Sequence, residues 1–486
     1  MINRVFKFEE GFIFAMNGYI VIIALYALFL IGLGAFISRK VKTTDDFFVG
    51  GRSLGGGLLF ITLVAPNIGA GSTVGVAGLG FSHGWSALWW IVASAIGTFI
   101  LAFTVGPVIW ELAKKYNFYT LGDYLEYRYN KNFRGLISLL MAIGTVAIFA
   151  GQLMGVAWIL SVVADVGKET GIFISALVIV LYFCAGGLLS AAYVNMIEAA
   201  VKLAGFFVAI PFVYSYIGGW QGFHDALQIQ LIAKNLPVEA YFSLDGIGIS
   251  TIIGFFLMLT PSFFLSPALI GKVYSAKDKK TVRRSTFFCG LVMLLFSVLP
   301  VFLGMAAFAI FPDLAQRDLA LPYVMKECMP FWASALALAA IFSAEISAAD
   351  AVLYMITTSF TKDLYKSFIN PQVSDTDLLK KSRWITVGAG IVGTFLALQL
   401  PNVISALSIF YALMSVSLTA PLLFGLFSKR ASSLAAFSAA GSGILLTVIL
   451  QFFHQGRGIG ILNAQSTAIS FTILLMLCFC LFKPQK

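Results

Sequence analysis

Charge is scarce in this chain. Only 11% of its 486 residues are Asp, Glu, Lys or Arg, whereas 59% are hydrophobic and the mean hydropathy is +0.93. A water-soluble protein of this length needs far more charged surface, so a soluble fold is excluded and an integral membrane protein is implied. Cysteine and histidine are sparse too. Cys184, Cys289, Cys328, Cys478 and Cys480 are scattered and fall mostly within apolar stretches, a spacing that gives neither a disulfide framework nor a metal site. His83, His224 and His454 lie too far apart in sequence to suggest a metal cluster. The chain also lacks a paired-carboxylate, Ser/His/Asp, Cys/His or phosphate-loop constellation, so it is not expected to be an enzyme.

What the chain has instead is a succession of apolar runs. Crossing a bilayer takes about 20 apolar residues per helix. Six such runs lie near 17–38, 56–79, 85–110, 134–164, 171–192 and 194–218, and seven near 246–271, 286–312, 331–360, 384–400, 403–427, 432–453 and 460–482. An all-α integral membrane protein with about 13 transmembrane helices follows. The first run is full length and leads directly into Arg39, Lys40 and Lys42, which reads as a retained helix and not as a short secretory peptide.

The net charge of +10 raises the question of a nucleic-acid partner. With the N-terminus outside, the loops and ends assigned inside hold 24 of the 32 Lys and Arg residues, those outside hold 7, and Lys202 falls within a span. The positive-inside rule accounts for that distribution, so no nucleic acid is expected as a partner. The densest cluster, Lys272, Lys277, Lys279, Lys280, Arg283 and Arg284, reads as an orientation signal with lipid headgroup contact. Thirteen spans then place Lys483 and Lys486 in the cytoplasm, in a multi-pass protein of the plasma membrane.

Two of the apolar runs are interrupted where a membrane helix should be continuous. The first reads Leu63, Val64, Ala65, Pro66, Asn67, Ile68, Gly69, Ala70, Gly71; the second runs through Leu259, Thr260, Pro261, Ser262 to Ser266 and Pro267. Proline removes a backbone donor and glycine makes irregular backbone cheap, so each break frees peptide groups at membrane depth. Such groups are tolerated only beside a cavity or a ligand, and matched breaks in two halves of a membrane protein point to a transporter's binding site. If the broken helices are spans two and seven, each starts a block of five. Five is odd, so the second block enters the membrane in the opposite sense, giving a five-plus-five inverted repeat. The chain then divides, within one transporter domain over 1–486, into a peripheral first helix (17–38), a first repeat (56–218), a second repeat (246–427) and two peripheral last helices (432–482).

The run DDFFVGGRSLGGG leading into APNIGAG, followed by GDYLEYRYN, GGLLSAAYVNMIEA, YSAKDKK and ISAADAVLYMITTSFTKDLYK, resembles the successive landmarks of the sodium:solute symporter family. The resemblance covers nearly the whole chain in the family's order. It implies secondary active transport by alternating access, with inward sodium flow coupled to uptake of a small solute. A sodium ion within a bilayer needs about five or six oxygen ligands in place of water. Carried over by position, these include the carbonyls of Ala65, Ile68 and Ala344 and the hydroxyl of Ser347. Ala344, Ser347 and Ala348 share one helix face. At Ala348 the family usually has a hydroxyl, and a methyl cannot coordinate a cation. The site therefore has four recognisable ligands and needs a water, a substrate oxygen or another side chain.

Five further charged or polar positions bear on coupling. Glu345 and Asp350 flank the cation face, and intramembrane carboxylates normally face a cavity or a partner. Both are candidates for cation attraction or protonation, with a proton-coupled symporter as the alternative to sodium coupling. On the sixth span Asn195 and Glu198 stand where many relatives have Asp and Gln. Lys202 follows Glu198 at the favourable i+4 spacing. These three read either as a polar relay on the inside exit path or as an ion pair snorkelling at the cytoplasmic surface.

The solute is less legible. In sugar-transporting relatives the positions of Ser72, Gly71 and Ser266 are Gln, Glu and Asn, and those departures argue against a sugar. Gly69 and Gly71 let a ligand approach the amides of the restarting half-helix, whose positive dipole end favours a carboxylate, or they serve only close helix packing. A small organic anion or zwitterion is expected. The candidate contacts are Asn67, Gly69, Ser72, Thr73, Gln152, Thr260, Ser262 and Ser266, with Phe263, Tyr411 or one of Trp85, Trp89 and Trp90 as gates. A solute sensor on a transporter scaffold is the other class, but the sequence ends at Lys486, four residues past the last span, so no output domain is expected. No obligatory protein partner is expected either.

Overall fold

The computed structural model describes residues 2–38, 52–185 and 188–482, and within them the chain is helical, with β contacts confined to two isolated bridges. Arg39, Lys40, Lys42, Lys483 and Lys486, invoked above for orientation, lie outside the described residues. The helices in chain order are α1 (Ile2–Ser38), α2 (Gly56–Asn67), α3 (Val76–His83), α4 (Trp89–Ile100), α5 (Gly106–Tyr116), α6 (Leu121–Arg128) and α7 (Lys131–Ala164). They continue with α8 (Lys168–Ala185), α9 (Leu188–Tyr216), α10 (Gly219–Ala233), α11 (Val238–Phe242), α12 (Ile249–Leu265), α13 (Pro267–Tyr274) and α14 (Lys279–Phe296). The rest are α15 (Val298–Ile310), α16 (Ala320–Glu327), α17 (Phe331–Thr358), α18 (Asp375–Gln399), α19 (Val403–Phe427), α20 (Ser433–Phe453) and α21 (Ala464–Phe482).

By length and composition, ten helical stretches among the described residues are long and apolar enough to cross a membrane, so the thirteen expected spans are matched in part. The expected spans 171–192 and 384–400 fall on α8 and α18, which do not reach that standard within the described residues. The expected span 56–79 is cut in two: α2 is a short apolar helix, and the chain resumes helical winding only at Gly71.

Local sequence sets many of the ends. Thr120 and Asp123 form a reciprocal capping box at the start of α6, and the side chains of Asn130, Asp278, Asn402 and Ser432 accept the amide three residues on to open α7, α14, α19 and α20. At the end of α3 the chain turns at Gly84, where φ is +63° and a Cβ would lie 1.8 Å from the Tyr241 carbonyl oxygen, so only glycine fits.

The centre of the molecule is α17. Of its most apolar stretch 89% is buried, against 17% for α1 and 28% for α20, whose exposed faces suit lipid. Helices α7 and α9 pack along α17, α19 packs along α7, and α12 lies against α4 and α19. Close approach of α9 to α17 depends on Gly205: a Cβ there would stand 2.3 Å from that of Ala340 and 2.9 Å from the Leu336 carbonyl oxygen. This packing brings the two interrupted helices, α2 with its continuation and α12 with α13, to the middle of the molecule.

Candidate functional site

Pro66 and the unwound residues after it leave a set of backbone groups without intrahelical partners, and each can be traced. The carbonyl of Thr62 is the one that a residue-66 amide would have served. It accepts instead from Lys272 Nζ at 2.6 Å. Asn67 O accepts from Ser72 Oγ at 2.7 Å and the Ala70 amide donates to Gln152 Oε1 at 3.0 Å, while Gly69 O already accepts from the Ser72 and Thr73 amides and takes Thr73 Oγ1 at 3.0 Å as well. The carbonyls of Ala65 and Ile68 face α9 and α17. Lys202 Nζ donates to Ala65 O at 2.5 Å, to Ile68 O at 2.8 Å and to Ser347 Oγ at 2.8 Å. Ser347 Oγ in turn lies 2.9 Å from Ala65 O and 3.1 Å from Ala344 O.

The four oxygens expected to hold sodium are thus assembled at one crossing, and three of them surround the ammonium of Lys202. An ammonium has three N–H donors and all three are used here. Lys202 is fully buried, so it does not snorkel to a surface. The ion pair with Glu198, one of its two expected readings, is not formed: both Glu198 carboxylate oxygens are buried without a hydrogen-bond partner. Reaching the carbonyls of α2 offers the ammonium three short bonds, which outweighs one contact along its own helix. Lys272 departs from expectation in the same way. Read with the basic cluster as an orientation signal, it is buried and caps the broken helix.

The carboxylates lie behind this crossing. Glu345 is fully buried, accepts from Thr73 Oγ1 at 2.9 Å and leaves Oε2 unpartnered against Gly155, where a Cβ would sit 2.7 Å from the carboxyl. Asp350 is buried on the same helix. Asn195 is buried with Oδ1 unpartnered.

Beside the crossing a central cavity is lined by both breaks: Pro66, Asn67, Gly69, Gly71 and Ser72 from the first, and Ser262, Phe263, Ser266, Ala268 and Leu269 from the second. Gln152, Trp90 and Tyr411 complete its polar and aromatic wall, and Ala348 lines it too. Of the expected solute contacts, Asn67, Gly69, Ser72, Gln152, Ser262 and Ser266 are brought together here. Asn67 turns its amide nitrogen toward Cys289 Sγ and Met293 Sδ. Thr73 is taken up by Gly69 O and Glu345 and does not line the cavity. Thr260 is directed away, donating to Ala93 O at 2.9 Å, because α4 approaches within reach at Gly97. The expected gates Phe263 and Tyr411 face each other with ring centroids 6.0 Å apart, and Trp90 stands 6.1 Å from Tyr411. Trp89, by contrast, bonds Leu244 O near the surface.

This architecture has relatives. A model of the sodium:solute symporter family matches residues 47–443. The chain belongs to that family. It is similar to the sodium/pantothenate symporter of Escherichia coli, 28% identical over 436 residues covering 87% of this chain and 89% of the relative. It is also similar to the sodium/glucose cotransporter of Vibrio parahaemolyticus, 25% identical over 470 residues covering 89% and 85%. Its fold matches that of a Na+-coupled sialic acid symporter solved in a substrate-bound outward-open state, with a TM-score of 0.77, 18% identity and 96% and 98% of the two chains covered. In this family member the fold is therefore that of a membrane symporter.

A second polar cluster joins α6 and α7 to the segment that follows α17 and escaped the reading of the sequence. Arg134 on α7 pairs with Asp123 at 3.0 Å, Glu126 at 2.8 Å and Asp363 at 2.6 Å, and Thr120 Oγ1 donates to Asp363 at 2.6 Å. The signal lay in the family landmarks: GDYLEYRYN and TKDLYK carry the acids, and their pairing needs the helices to be brought together in space.

Proposed function

We propose that this protein is a secondary active transporter that carries a small organic solute through the central cavity by alternating access. One observation carries the reading: both interrupted helices line a single cavity, so irregular backbone and an internal space coincide. The division into inverted repeats over 56–218 and 246–427, an outside N-terminus and a cytoplasmic C-terminus in the plasma membrane belong to the same reading. With the thirteen-span division, the charge distribution over the loops supports them.

The solute class we infer is a small organic anion or zwitterion, not a sugar. The Trp90 indole N–H, the Gln152 amide NH2 and the Tyr411 hydroxyl are at the cavity wall without hydrogen-bond partners among the described residues, and no carboxylate lines it. Gln152 is oriented by accepting from Ala70, which leaves its nitrogen to donate. Unpaired donors without an acidic neighbour suit a ligand rich in acceptors, such as a carboxylate. Phe263, Tyr411 and Trp90 close over it.

Sodium is the coupling ion suggested by kinship, and at the Ala65–Ile68–Ser347 crossing it and the Lys202 ammonium exclude one another. The test is uptake into proteoliposomes of a panel of carboxylates, zwitterions and sugars, with a sodium gradient and with choline in its place. Saturable uptake of a carboxylate or zwitterion that is lost in Gln152→Leu supports the reading. No uptake of any solute class by folded protein, or uptake of sugars alone, overturns it.

A further inference from the structure

We propose that Lys202 is a tethered cation that replaces sodium at the crossing of α2 and α17, so that this crossing holds its positive charge as part of the chain and takes no ion from solution. The inference deepens the transporter reading and rests on it for its functional meaning. The occupancy itself can be measured without any solute.

Three independent features of the chain converge on it. The first is saturation: Nζ donates to Ala65 O, Ile68 O and Ser347 Oγ at 2.5–2.8 Å, and no donor is left over. Carbonyls freed by a helix break normally require a cation or water, and here they have one of their own. The second is Ala348. A sodium ion at this place has to complete its shell with water because the methyl offers no ligand, whereas an ammonium needs three acceptors and has them in the chain. The loss of a hydroxyl at position 348 and the presence of a lysine at position 202 are thus one adaptation and not two unrelated departures. Ala348 also packs onto the break, since a Cβ at Gly69 would stand 2.3 Å from its own, so a larger hydroxyl residue there would crowd the unwound segment.

The third feature is the delivery of the side chain. Gly205, three residues beyond Lys202, lets α9 lie against the backbone of α17 at Ala337 and Ala340. That contact brings the lysine stem to the crossing, where it is fully buried. Sodium cannot share these oxygens with the ammonium: two unit positive charges within one set of three ligands repel, and the space is filled. The charged groups around the crossing are Glu198 on α9, Glu345 and Asp350 on α17, and Lys272 on α13. The two glutamates carry unpartnered oxygens.

The mechanical consequence is that α2, α9 and α17 are cross-linked by hydrogen bonds that do not depend on the ion outside. In a sodium-occupied crossing the ion itself would join α2 to α17 and would leave when the site opened. Here the joint is covalently attached to α9, so α9 moves with whichever of the other two it follows.

The test uses sodium alone as the probe. Purified full-length protein in detergent is melted in sodium chloride and in choline chloride at equal ionic strength, and binding of radioactive sodium is measured alongside, for the wild type, Lys202→Ala, Ser347→Ala and the double variant. The wild type is expected to show no sodium response that depends on Ser347. Lys202→Ala is expected to be less stable in choline and to gain a saturable stabilisation by sodium that the double variant lacks. Wild-type sodium binding abolished by Ser347→Ala overturns the proposal, as does folded Lys202→Ala that gains no sodium response. Should Lys202→Ala not fold, the comparison of wild type with Ser347→Ala still decides. Uptake assays separate this outcome from the transporter reading: a wild type that moves no solute in either salt refutes transport while leaving the sodium measurement standing.

Discussion

Lys272 and Pro66 offer a sharp check on how the broken helix is held together. Pro66 deprives Thr62 O of its helical donor, and Lys272 Nζ supplies another at 2.6 Å in a fully protein-enclosed setting. Removing the lysine by Lys272→Met leaves a buried carbonyl unsatisfied, and a hydrogen bond from a charged group contributes about 1.5–3 kcal/mol. Pro66→Ala restores an amide that can donate to the same carbonyl. In that background Lys272→Met should cost less by about 1–2 kcal/mol, the worth of an ordinary satisfied acceptor. The four proteins of the cycle are unfolded in mixed micelles of rising SDS fraction, followed by circular dichroism. A coupling energy of the predicted sign supports the assignment of Lys272 as the cap of the proline break. Additive effects, within about 0.5 kcal/mol, would refute it.

Other consequences follow from the same packing. Arg134→Gln strands the Asp363 carboxylate in the interior and should destabilise by about 3–5 kcal/mol, with partial rescue by Asp363→Asn, both read by the same unfolding titration. Gly69→Ala drives a methyl to 2.3 Å from Ala348 Cβ and should cost about 1–3 kcal/mol; Ala348→Gly should recover much of that loss, and no recovery would show that the clash lies elsewhere. Asp318, in the connection before α16, accepts from the Val403 amide, and burial pushes its carboxyl up to about 6. Because the folded state holds the proton more tightly than the unfolded chain, this residue's contribution is largest below pH 4 and falls as pH rises from about 4 to 6, by roughly 3 kcal/mol in all. Melting of Asp318→Asn across that window should show a flatter profile than the wild type, and identical profiles would count against the assignment.

Much of the architecture was legible in the residues. Scarce charge, long apolar runs and two proline–glycine interruptions are local properties, and they dictate membrane helices with irregular backbone at two places whatever the rest of the chain does. The family landmarks pointed to four candidate cation ligands, and in space those four residues meet around Lys202 and Ser347. The span count is matched in part, because the expected break at Pro66 ends α2 after twelve residues and the apolar part of α18 is shorter than the helix.

The partner of each freed peptide group was a matter for tertiary structure. In sequence Lys202 stands four residues from Glu198, and the i+4 rule favours that pair. In space the same ammonium lies among three oxygens from α2 and α17, residues 134 to 145 positions away. Thr260 and Thr73 were equally ambiguous, since a hydroxyl one turn from a break can face a cavity or a neighbouring backbone, and the neighbour's distance decides. Chemistry that the chain carries along its own length, such as the breaks, was therefore readable at once. Chemistry made by helices meeting side on, such as the cation that fills the crossing, depended on which helix packs against which, and that is set by close contacts such as Gly205 on Ala340 that no local pattern encodes.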